Sequence, residues 1–191
     1  SLVGSEMCKE TDQGPHFKFA DGEVTFDDRS DAISATTIAL PFKHNGSTLK
    51  YNEETGTYDY YEYGSAHKDA DSNAQLTFEN VILQDTTFAE LGEGYLIYNA
   101  IDSGRSGYYI TQGKAIEVTW TKSSENAITH YYDAKTGEEI QINTGKTYIS
   151  LIPSDGWSSL VINKSDPDRR IKNKILPQAD AVGGIFCVYD E

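Results

Sequence analysis

Four short stretches hold the side chains that could do chemistry. In Gly64-Ser-Ala-His67-Lys-Asp69, an imidazole and a carboxylate stand two residues apart and would share one face of a strand. A histidine beside a carboxylate can serve as a general base, provided a nucleophile or water and an oxyanion partner are present. Ser65 lies nearby without the G-x-S-x-G elbow that would expose it, so His67 also reads as a hydrogen-bonded structural residue. Asp69-Ala-Asp71-Ser-Asn73 begins like a calcium loop, with oxygen ligands at alternate positions. Ala74 then stands where the sharp turn needs glycine, and Asn80 where the bidentate glutamate belongs. The stretch therefore reads as a polar turn between strands, and neither a metal nor any other cofactor is expected.

The run Thr57-Tyr58-Asp59-Tyr60-Tyr61-Glu62-Tyr63 is the densest aromatic segment. Strand alternation puts Tyr58, Tyr60 and Glu62 on one face and Asp59, Tyr61 and Tyr63 on the other. One set can enter a core while the other stays outside. Exposed rings flanked by carboxylates can stack on sugars or pack on a peptide. Ordinary cross-strand packing would use the same residues. The fourth stretch, Arg169-Arg170-Ile171-Lys172-Asn173-Lys174, is basic, with Ile171 and Ile175 one helical turn apart. It reads as the solvated face of a helix.

These stretches need a scaffold, and the composition supports one. The chain has 191 residues, with 16 Lys and Arg against 30 Asp and Glu, a formal net charge of −14. Most of the excess lies in residues 1–100, which hold 6 basic and 18 acidic residues. Such a surface repels phosphate backbones and anionic membranes, so nucleic acid is not an expected partner. Cations, peptides and neutral glycans stay open. Cys8 and Cys187 lack the spacing of a zinc site, and both a bridge between them and two separate thiols are open. No run of about 18 apolar residues predicts a transmembrane segment. Ser1-Leu2-Val3-Gly4 lacks the basic start and apolar stretch of a signal peptide, which leaves a cytoplasmic protein or one whose export segment lies upstream.

Short runs rich in Val, Ile, Thr, Tyr and Trp, separated by turn residues, predict strands. They are Thr36–Phe42, Thr57–Tyr63, Leu76–Gln84, Gly94–Asn99, Tyr108–Gln112, Ala115–Lys122, Ile128–Asp133, Glu139–Asn143, Thr147–Ile152 and Leu160–Asn163, with Ile185–Tyr189 as a closing strand. Residues 108–152 read as an antiparallel meander. Thr86–Leu91 reads as a helical turn. Asp166 to Leu176 reads as a helix, capped by Asp166, started by Pro167 and stopped by Pro177. Residues 1–30 read as an arm or the tail of an upstream domain, and 31–191 as one domain. The expected class is mainly β, an antiparallel sandwich or curved meander sheet with one or two short helices.

Residues from about 33 to 155 also carry an ordered pattern: Tyr58, Gly64-x-x-His67-x-Asp69, Asn80-Val81-Ile82, Gly104-x-x-Gly107-Tyr108, Gly113-Lys114 and Thr119-Trp120-Thr121-Lys122. It continues through Asp133-x-x-x-Gly137-x-Glu139-Ile140-x-Ile142-Asn143-x-Gly145-Lys146-Thr147-Tyr148-Ile149 and ends at Ile152-Pro153. This pattern resembles the C-terminal domain of the YerB-like lipoproteins, a family of unknown function from Gram-positive bacteria. Tyr60 and Tyr148 depart from it, standing where the family tends to have Arg and Trp. The resemblance implies an extracytoplasmic domain of a cell-envelope protein, lipid-anchored upstream, and offers no catalytic residues.

The expected function is a non-catalytic binding or accessory module for a cell-wall glycan or an envelope protein. The candidate ligand-binding residues are Tyr58, Tyr60, Tyr61, Tyr63, His67, Asp69, Asn80 and Trp120. Two alternatives are a cell-envelope hydrolase using His67 and Asp69, and a structural support for an upstream domain.

Overall fold

The computed structural model of the chain describes residues 17–70, 72–90, 96–163 and 186–189. Among these described residues fifteen short strands follow one another: β1 (Ile33–Ser34), β2 (Thr37–Ala39), β3 (Thr48–Asn52), β4 (Thr57–Glu62), β5 (Ser65–Ala66), β6 (Thr77–Phe78), β7 (Asn80–Thr86), β8 (Phe88–Glu90), β9 (Leu96–Tyr98), β10 (Asp102–Thr111), β11 (Lys114–Lys122), β12 (His130–Asp133), β13 (Thr147–Pro153), β14 (Val161–Ile162) and β15 (Phe186–Tyr189). One 3-10 turn, Trp157–Ser159, precedes β14. The molecule is mainly β, as its sequence predicts, and its strands pair antiparallel except for β7 and β13 in the first sheet.

The first sheet runs β1-β11-β10-β7-β13-β15, with β12 also pairing β11. The second runs β14-β2-β3-β4-β5, with β6 also pairing β4. One core lies between them, where Ile38, Leu49, Tyr58, Tyr60 and Phe78 meet Val81, Leu83, Ile110, Tyr148 and Ile152. The opposite face of the first sheet carries a second core of Ile82, Tyr109, Ile116, Val118, Trp120 and Ile149. Phe17, Phe19, Val24, Phe26 and Ile142 pack on it, so residues 17–26 and 140–142 form a third layer. This layering explains β7, where Asn80-Val-Ile-Leu-Gln84 is buried throughout: a strand covered on both faces loses its alternation. β4 keeps a stricter alternation because only one of its faces meets a core.

Several local expectations change. Of the helical turn expected at Thr86–Leu91, Leu91 lies outside the described residues and Thr86–Glu90 is not helical. Thr86 ends β7, and Phe88–Glu90 is a strand paired with Leu96–Tyr98. The successive β-branched Thr86 and Thr87 favour extended backbone. Residues 108–152 are not one meander. β13 leaves that path and pairs parallel with β7, Thr147 opposite Asn80 and Pro153 opposite Thr86. Glu139–Asn143 is held by single bridges, Glu139 to Tyr132 and Ile142 to Phe19, and is not a strand. Thr48–Asn52, which was not among the expected strands, is the centre of the second sheet. The helix expected at Asp166–Leu176, Cys8 and Asp71 lie outside the described residues.

Candidate functional site

The tyrosine strand β4 crosses the second sheet between β3 and β5. Its inward residues are fixed by hydrogen bonds. The Tyr58 hydroxyl donates to the Ala35 carbonyl at 3.0 Å. The Tyr60 hydroxyl donates to Glu62 Oε1 at 2.7 Å and lies 3.0 Å from Ser47 Oγ. Burial pushes the Tyr60 and Tyr148 hydroxyls above the ordinary tyrosine value, so Tyr60 stays protonated and donates. Asn45 Nδ2 donates to the same Glu62 oxygen at 3.2 Å. The other carboxylate oxygen, Glu62 Oε2, faces His67 Nδ1 at 3.2 Å. The His67 ring rests edge-on against Tyr60, centroids 5.6 Å apart. Glu62 is thus a hub that joins the buried tyrosines to a half-exposed imidazole.

The outward residues form a surface. Register aligns Val161, Ala39, Thr48, Tyr61 and Ala66 in one row across five strands. The neighbouring row is Thr37, Lys50, Asp59 and Thr77. Small side chains leave the Tyr61 ring as the largest feature, with Lys50 Nζ 4.6 Å from its centroid. Beyond it, β4 turns into β5 through Tyr63 and Gly64, with Glu62 paired to Ser65. Both turn residues take positive φ, +50° and +74°, the pattern of a type I′ turn. That turn suits Asn-Gly, and a tyrosine in the left-handed region is an outlier. The Tyr63 ring is 67% exposed and lies edge-on to His44, centroids 6.0 Å apart. Its backbone N–H donates to the Asn45 carbonyl at 2.6 Å.

The structure therefore gathers Tyr60, Tyr61, Tyr63 and His67 at one end of the second sheet. Tyr58 lies farther along the same strand, inside. Asp69 turns the chain, its Oδ1 accepting from Ser72 N and Ser72 Oγ, each at 2.8 Å. Glu62 is the carboxylate placed against the His67 imidazole. Asn80 and Trp120 sit in the first sheet's interior. Trp120 Nε1 donates to the Asp85 carbonyl at 3.1 Å. Asn80 Nδ2 donates to the Asn143 carbonyl at 2.7 Å, and its Oδ1 accepts from the Tyr109 hydroxyl at 2.9 Å. Asn143 Nδ2 in turn reaches the Val24 carbonyl and Thr111 Oγ1, each at 2.9 Å, while its Oδ1 accepts from Val24 N at 2.6 Å. This buried network ties the third layer to the first sheet.

Sequence reasoning missed His44, Asn45, Ser47, Lys50 and Glu62 as site residues. The signal for the first three is the Asn45-Gly46 turn, and for Lys50 the alternation of Thr48-Leu-Lys-Tyr-Asn52. Among the described residues, no group of three or more His, Cys, Asp or Glu is placed to hold a metal ion. The arrangement supplies apolar ring faces beside an imidazole, an ammonium and two carboxylates. Such a surface can stack on a sugar ring or a side chain and hydrogen-bond its polar rim.

Residues 38–149 match the family model described as "Protein of unknown function (DUF3048) C-terminal domain". The chain is similar to the crystal structure of YerB protein from Bacillus subtilis, with a TM-score of 0.59 at 17% identity. That likeness covers 78% of this chain and 47% of the other, so the chain spans about half the length of that protein. No curated protein matches it. The pattern that carried the resemblance includes Asn80, Trp120, Asn143 and Thr147, which the structure places in the first sheet and its buried network. With the family model covering more than half of its length, the chain belongs to the family of DUF3048 C-terminal domains.

Proposed function

We propose that this domain is a non-catalytic binding module of a cell-envelope lipoprotein, and that it holds its ligand on the outer face and tip of the second sheet. The observation that carries the reading is Tyr63. It spends backbone strain to hold an apolar ring in water, and strain of this kind concentrates at functional sites. Tyr61, one sheet row away, extends the same surface toward Lys50. The extracytoplasmic, lipid-anchored setting rests on the family resemblance. Among the described residues, no helix is long and apolar enough to cross a membrane, which is compatible with an anchor supplied elsewhere. The ligand is a neutral cell-wall glycan or an envelope protein segment, since the net charge of −14 disfavours polyanions.

Retention on purified cell-wall sacculi, beside a membrane-protein extract, tests this reading. The 191-residue chain should be retained on one of the two matrices. Failure on both would discard the binding role and favour a structural one.

A further inference from the structure

A concavity lies on the far side of the first sheet, away from the tyrosine surface. The third layer does not cover that sheet completely. Between its two segments is a groove of about 460 Å³, within the range of small-molecule sites. Val24, Phe26, Ile116 and Ile140 make its floor apolar. Its rim is charged, but most of the charge is committed. Arg29 pairs with Asp31 and Asp133, and its guanidinium lies 5.8 Å from the Phe26 ring centroid. Lys18 pairs with Glu139, whose other oxygen meets His130 Nδ1 at 2.5 Å. Both rim cations are therefore neutralised by carboxylates of the rim itself. Glu138 also lines the groove and is exposed, and among the described residues no ion pair or side-chain hydrogen bond holds its carboxylate.

We propose that this groove binds an amphipathic cation: an apolar body against Phe26 and Ile116, with an amine at Glu138. An aliphatic or aromatic amine, such as a lysine side chain of a partner, has this chemistry. Among the described lining residues, the cations an anion would meet, Lys18 and Arg29, are already paired. The chain's overall negative charge favours approach of the cation. The proposal does not rest on the tyrosine surface, and either can fail without the other.

The test is a titration of the ¹⁵N-labelled full chain with phenethylammonium, and in parallel with 3-phenylpropionate, the anion of similar shape. Amide shifts should move in residues 24–29 and 138–141 and saturate in the millimolar range ordinary for a probe of this size. The anion should leave them unmoved. Glu138→Gln should weaken the amine about two- to fivefold, as expected for one exposed charge contact. Equal shifts with the anion, saturation mapped elsewhere, no saturable shift, or unchanged affinity in Glu138→Gln would each overturn the proposal.

Discussion

Two hairpin turns in this molecule share one backbone and differ in what their side chains meet. Gln112-Gly113 links β10 to β11, and Tyr63-Gly64 links β4 to β5. In each, both residues have positive φ, +48° and +72° in the first pair and +50° and +74° in the second. The first turn is anchored. Gln112 Oε1 accepts from the Tyr51 hydroxyl at 2.9 Å, and a Cβ on Gly113 would meet the Tyr51 ring at 3.0 Å. Thr111, just before it, bonds Asn143 of the buried network. The second turn is held only at its backbone and by His44: the Tyr63 N–H bonds Asn45, a Cβ on Gly64 meets nothing within 4 Å, and the Tyr63 ring, beside His44, is mostly in solvent. The left-handed residue of the anchored turn is held by internal packing. Tyr63 bears the same strain with a bulkier side chain and little packing in return. The difference separates a turn packed into the fold from one that presents its side chain at the surface.

The comparison can be broken at several points. The largest effect should come from the network behind the anchored turn. Asn143→Ala strips partners from Thr111 and from both backbone groups of Val24, and should cost about 2–4 kcal/mol in urea unfolding. Next, Gly113→Ala combines left-handed strain with a clash on Tyr51 and should cost about 2–3 kcal/mol. Gly64→Ala carries the strain alone and should cost about 1 kcal/mol. Equal losses for the two alanines would erase the distinction between the turns.

A smaller, pH-dependent effect belongs to the third layer. Hydrogen bonds from Arg29 hold the Asp133 carboxyl below the usual carboxylate range, and those from His130 and Lys18 do the same for Glu139. A depressed folded value means that the contribution is complete above the unfolded range of about 4 and is lost as pH falls through the folded values. Arg29→Met should lower stability by under about 1 kcal/mol at pH 7 and flatten the acid dependence below pH of about 4. An unchanged acid limb would show that the layer is not held by this pair.

Much of the scaffold was legible in the residues. The alternation from Tyr58 to Glu62 and from Ile116 to Trp120 is local, so it appears directly in the sequence. Partner choice is not local. Nothing in Thr147–Pro153 names a parallel partner, because a strand covered on both faces is an apolar run with no marked direction. Glu139–Asn143 has strand-like residues, yet its backbone groups go to Tyr131, to Lys18 and to side chains rather than to a ladder. The site was half legible. Its tyrosines and His67 were evident from type and spacing, while Glu62 as the partner of His67 needed the β4–β5 hairpin. Tyr63 as a turn residue was hidden, since tyrosine is not a turn former and reads as one more strand position.

The central claim is that Tyr63 is kept at a cost to the fold because a ligand needs it, and Tyr63→Asn tests that claim most directly. Asparagine suits the left-handed position of a type I′ turn, so the variant should gain about 0.5–1 kcal/mol, a rise of about 1–3 °C in melting midpoint. On the same preparations, retention on whichever matrix holds the wild-type chain should fall sharply. A lower melting midpoint would show that the ring supports the fold, and unchanged retention would show that it is not the ligand surface; either result contradicts the account.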